Sequence, residues 1–81
     1  MRNKRGDNMA EYIYPNIEAE RKRLNLSQEE LSAKLAIERK TYYNWLIKGN
    51  IPVPFLIKLS EVFDCSIDYL LGRTRNPLLA V

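Results

Sequence analysis

Apolar residues recur along the chain at spacings of three and four, with no strand-like alternation. Leu31 and Leu35 form one set, and Tyr42, Trp45 and Leu46 a second. Leu56, Leu59, Val62 and Phe63 form a third, and Ile67, Leu70 and Leu71 a fourth. Such spacings put each set on one stripe of a helix, and a stripe of this kind packs into a core. Trp45 is accordingly expected in the core rather than as a platform for a ligand.

Local signals bound these helices. Pro15 and Asn16 open a first helix that runs to about Leu24, with proline suited to the first turn and asparagine to a cap. Ser27-Gln28-Glu29-Glu30 has the spacing of a capping box, and Leu26 and Leu31 that of a hydrophobic staple. These predict a second helix over 28–35. After a short break at Ala36-Ile37, a third helix is predicted over 39–47, stopping before Gly49. Pro54 suits the first turn of a fourth helix ending near Phe63. Ser66 caps a last short helix through Leu71, and Gly72 ends it. The expected fold class is all-α, a compact five-helix bundle with short links.

The segment 28–47 carries the functional expectation. Two helices joined by so tight a link cross steeply, so the contact residue on the earlier one must be small, as Ser32 is, and the turn has little room, which suits Ala36. Leu31, Leu35, Ile37, Tyr42 and Trp45 then brace the later helix. Its other face is polar: Arg39, Lys40, Thr41, Tyr43, Asn44 and Lys48. By charge pattern alone such a face is more often a solvated surface.

Composition narrows the choice. The chain has 81 residues, one domain at most, and is 46% hydrophobic, as a globular protein is. It has no histidine and a single cysteine, Cys65, expected to be buried and inert. No phosphate loop or paired carboxylates stand out. The sequence therefore predicts no catalytic residue, no metal site, no cofactor and no small-molecule substrate. No apolar run approaches the roughly 18–20 residues of a membrane helix, and the charged amino end lacks the apolar stretch of a signal peptide. No membrane partner and a cytoplasmic, nucleoid-associated location are expected.

The net charge is +3. Arg2, Lys4 and Arg5 lie in the arm 1–10, and Arg73 and Arg75 in the tail 73–81, leaving 11–72 as the folded domain. The arm is expected to be flexible, as is the tail, whose Leu78, Leu79 and Val81 alternatively pack on the last helix or at a dimer contact. Within 38–58 the basic residues Arg39, Lys40, Lys48 and Lys58 face one acid, Glu38. A polarised layout of this kind suits a protein that turns one face to phosphates.

Two segments, LNLSQEELSAKLAIERKTYYNW and LIKLSEVFDCSIDYLLGRT, resemble the Cro/phage-repressor (XRE-like) family of helix-turn-helix regulators. The likeness runs from about Asn16 to Thr74. It implies the lambda-repressor-like fold and sequence-specific binding to double-stranded DNA by a homodimer on a two-fold operator, as a transcriptional regulator, with repression favoured. An antitoxin or a restriction–modification controller of the same fold is an alternative, as is a helical protein-interaction module that has lost DNA binding. The resemblance places Arg39, Lys40, Thr41, Tyr43 and Asn44 at base edges in the major groove. It places Gln28, Lys48, Gly49 and Asn50 at phosphates.

The chain departs from the family in three places. Ala36 stands where glycine is usual, and Glu38 where Ser or Thr caps the third helix. Leu46 stands where the family often has a glutamate paired with an arginine of the first helix. Arg21 is thus expected either to pair with another acid or to face a phosphate directly.

Overall fold

The computed structural model describes residues 12–78. The arm 1–10, including Arg2, Lys4 and Arg5, and the tail residues Leu79 and Val81 lie outside the described residues. Five helices follow in order: α1 (Pro15–Arg23), α2 (Gln28–Lys34), α3 (Arg39–Lys48), α4 (Val53–Phe63) and α5 (Ile67–Leu70). Among the described residues there is no strand. No helix among them is long and apolar enough to cross a membrane.

The apolar stripes meet in one core. Ile17 of α1, Leu31 of α2 and Leu35 at its end, Tyr42, Trp45 and Leu46 of α3, and Leu59 and Phe63 of α4 are all buried, with Cys65 and Leu70. Leu26 and Ile37 pack against the same cluster, as do Phe55 and Val62. The Trp45 and Phe55 rings lie 5.1 Å apart and tilted, which ties α3 to α4.

The helix ends show why the chain turns where it does. The capping box of α2 forms in full: the Glu30 N–H donates to Ser27 Oγ at 2.9 Å, and the Ser27 N–H donates to Glu30 Oε1 at 2.8 Å. Ser66 accepts from the Tyr69 N–H at 3.0 Å and caps α5. Asn25 and Asp64 take the left-handed conformation just past α1 and α4, where such residues are tolerated.

Asn16 is a correction to the expected cap. Pro15 occupies the first turn, so the cap position falls on Tyr14, which makes no side-chain cap bond. Asn16 instead lies inside α1, and its Nδ2 donates to the Tyr69 carbonyl at 2.7 Å, joining α1 to α5. Lys48 is likewise inside the last turn of α3 rather than in the loop, and Gly49 closes the helix at φ 75°. Glycine adopts that φ without strain, and an added Cβ would come 2.8 Å from Ile13 Cγ2 and have to displace that side chain.

The tail folds back over its first residues. The Pro77 carbonyl accepts from the Ser66 N–H at 2.9 Å, at the start of α5. Leu78 lies alongside at the rim of a cavity of about 320 Å³ that Phe63 and Cys65 also line. Burial pushes the Cys65 thiol up to about 11, so it stays protonated at neutral pH.

Candidate nucleic-acid interface

The link between α2 and α3 is tight because Ala36 adopts φ 59°. The backbone then reverses in one step, and the Ile37 N–H donates to the Ser32 carbonyl at 3.0 Å. Ala36 itself is exposed, so the constraint on this position is its left-handed backbone rather than lack of room. A glycine adopts that conformation without the cost of about 1–2 kcal/mol that an L-residue bears. Ser32 is 2% exposed, and its hydroxyl donates to the Gln28 carbonyl at 2.7 Å, so the small residue at the crossing has no unsatisfied donor.

The inner face of α3 is fixed by Tyr42, Trp45 and Leu46, all buried. Leu46, which replaces the acid usual at its position, is thus a core residue. The opposite face carries Arg39, Lys40, Tyr43 and Asn44, all exposed, with Thr41 half-buried at its edge. Lys48 and Asn50 are exposed at the far end, on either side of half-buried Gly49. Ile47 adds apolar surface to this end of the helix. Glu38 holds the position before α3 without a side-chain cap bond, so the first N–H groups of that helix have no help from it.

Arg21 is taken up elsewhere. Its Nε and Nη2 donate to the two Glu18 oxygens, each at 2.8 Å, in a fork-to-fork pair. Its Nη1 donates to the Leu26 carbonyl. The pair has little exposure, 13% for the Arg21 side chain and 2% for that of Glu18. The expected alternatives therefore resolve toward an acid, and Arg21 stands apart from the exposed set. Glu18 was not singled out by the sequence. The signal available for it was Arg21 three residues on, together with the missing acid at Leu46.

Glu18 gathers further donors. The Tyr42 hydroxyl donates to its Oε2 at 2.6 Å, and Gln28 Nε2 to its Oε1 at 3.3 Å. Burial by itself would raise the Glu18 carboxyl, but the hydrogen bonds from Arg21 and Tyr42 and the Arg21 charge outweigh it and hold the carboxyl below its usual value. Burial, then the bond to Glu18, pushes the Tyr42 hydroxyl well above the ordinary tyrosine value. Arg39 Nη1 donates to Gln28 Oε1 at 3.4 Å, so the half-buried Gln28 lies between the core carboxylate and the start of α3.

Among the described residues no three side chains of His, Cys, Asp or Glu gather as a metal site would. The site is instead a helix with a buried inner face and a polar outer face, joined to a second helix by the short link 35–38. That arrangement defines a helix-turn-helix domain.

The family model for the helix-turn-helix matches residues 17–70, and the chain belongs to that family, in its XRE-like branch. It is 33% identical over 58 residues to an uncharacterized HTH-type transcriptional regulator, YobD, of Bacillus subtilis (strain 168). The match covers 70% of this chain, which spans about half (52%) of that relative's length. No solved structure matches the chain significantly.

Proposed function

We propose that the protein binds double-stranded DNA in a sequence-specific way, with α3 in the major groove, and that it represses transcription by occupying an operator. The observation that carries this reading is the two-sided character of α3. Tyr42, Trp45 and Leu46 are buried beneath it while Arg39, Lys40, Tyr43 and Asn44 are exposed on it. A helix held this firmly presents its side chains in one geometry, as base reading requires.

In this reading Arg39 and Lys40, at the amino end of α3, reach base edges. Arginine suits the two acceptors of a guanine edge. Asn44 lies one turn on and suits an adenine; Thr41 and Tyr43 touch thymine methyls or sugar. Lys48, Gly49 and Asn50 meet flanking phosphates and set the register. The similarity to a transcriptional regulator supports the same assignment. Two copies occupy half-sites about one turn, ~34 Å, apart.

The test is selection of bound duplexes from a random library, followed by titration with salt. A specific reader yields an enriched two-fold motif and log K that falls by about 0.9 per phosphate contact against log salt. Arg39→Ala is expected to cost ~1–3 kcal/mol on the selected site and to relax choice at one base pair. Lys48→Ala is expected to weaken all duplexes alike. Lack of enrichment together with a flat salt response would leave the protein-interaction module as the better reading.

A further inference from the structure

A line of hydrogen bonds runs from the core to the outer face of α3. Tyr42 and Arg21 donate to Glu18, Gln28 Nε2 donates to Glu18 Oε1 at 3.3 Å, and Arg39 Nη1 donates to Gln28 Oε1 at 3.4 Å. Each link has a polarity. An ionised carboxylate only accepts, and a guanidinium only donates. The amide between them has one end of each kind.

Only one orientation of Gln28 satisfies both neighbours. With its NH2 toward Glu18, its oxygen is left for Arg39. Turned over, it would set oxygen against carboxylate and NH2 against guanidinium, losing both bonds and adding two repulsions. Glu18 cannot itself swing away, because Arg21 grips both its oxygens and Tyr42 one of them, at 2% residue exposure.

We infer that Glu18 is a positioning residue for base recognition: through the amide of Gln28 it fixes the guanidinium of Arg39 at the amino end of α3, and so sets the preference at one base pair. The inference rests on the proposal that α3 reads DNA. It alters the part expected of Gln28. The amide oxygen is turned to Arg39 as an acceptor, and the residue acts by orienting a neighbour rather than chiefly as a phosphate donor. A long arginine side chain otherwise samples many rotamers, and restricting it beforehand sharpens discrimination.

The experiment measures binding of the full chain to the selected duplex and to each of its single-base-pair variants. Arg39→Ala first identifies the base pair that Arg39 reads. Gln28→Met is then expected to reduce discrimination at that pair by about five- to tenfold, within the range of a good bidentate contact, and to leave the other positions unchanged. Glu18→Gln is expected to give the same profile, since a neutral amide imposes no polarity on Gln28. The double variant should be no worse at that pair than Gln28→Met alone, because both act by one route.

Loss of stability is separated by Val62→Ala, which trims the packing of α4 on the core and lies outside this line of hydrogen bonds. It should lower the melting temperature and leave the base profile intact. In the free protein, NMR should show one Gln28 side-chain amide proton shifted as by a carboxylate, and Glu18→Gln should abolish that shift. Equal weakening on every duplex by Gln28→Met overturns the inference while leaving DNA reading in place, as does an unchanged profile in Glu18→Gln. Wild-type protein that selects no duplex overturns the inference and the DNA-reading proposal together.

Discussion

Two carboxylate–guanidinium pairs lie on α1 at the same spacing of three residues, and their surroundings give them different weight. Glu18–Arg21 and Glu20–Arg23 close at 2.8 and 2.9 Å. The side chain of Arg21 is 13% exposed, and its guanidinium is taken up by Glu18 and the Leu26 carbonyl. The side chain of Arg23 is 55% exposed, with Nη2 resting on the Phe63 carbonyl at 3.2 Å. Spacing alone brings each pair together. The tertiary fold then makes the first a junction of α1, α2 and α3, and leaves the second at the edge.

Glu18→Ala tests the contrast most severely. It strands a buried guanidinium and the Tyr42 hydroxyl, and should cost ~3–5 kcal/mol in denaturant unfolding. A cost below about 1 kcal/mol would erase the distinction between the pairs. Acid should act on the same residue more gently, because a protonated carboxyl still fills the site. The Glu18 carboxyl is held below the ordinary carboxylate value by Arg21 and Tyr42, so its contribution is full above that ordinary value and fades as pH falls through the lower folded one. Melting followed downward from neutral pH should show this decline, and in Glu18→Gln the decline should be reduced.

Tyr42→Phe removes one charge-assisted bond while keeping the ring in the core, for ~1.5–3 kcal/mol. The smallest effect is expected from Arg23→Ala, about 1 kcal/mol, since the Arg23 side chain is 55% exposed and water can take its place, although the Glu20 side chain it pairs with is only 10% exposed. Equal losses from the last two variants would mean that α1 is held by its outer edge as firmly as by its inner one.

The sequence made some of this plain and hid the rest for physical reasons. The capping box of α2 was legible because its partners, Ser27 and Glu30, lie within one turn. The helices and the polar face of α3 were legible from periodicity. Ala36 was legible as a turn, but its small size pointed to lack of space, whereas its φ of 59° shows the demand to be on the backbone. Asn16 looked like a cap because a cap is a local role, and its actual acceptor, the Tyr69 carbonyl, is 53 residues away. Glu18 was hidden in the same manner: its tyrosine donor is 24 residues off and its glutamine donor 10. Which carboxylate becomes the hub depends on how three helices converge; the spacing of three to an arginine is shared by Glu20 and Arg23, so only the acid missing at Leu46 hinted at Glu18.

The Ile13 N–H donates to the Leu46 carbonyl at 2.9 Å, and the Ile13 side chain presses on Gly49. The first described residues therefore lie beside the last turn of α3, whereas Pro77 is held near the start of α5. A bulky label attached at Ile13 would crowd the very helix under assay. The carboxyl side is the better place for a fluorophore or an affinity label.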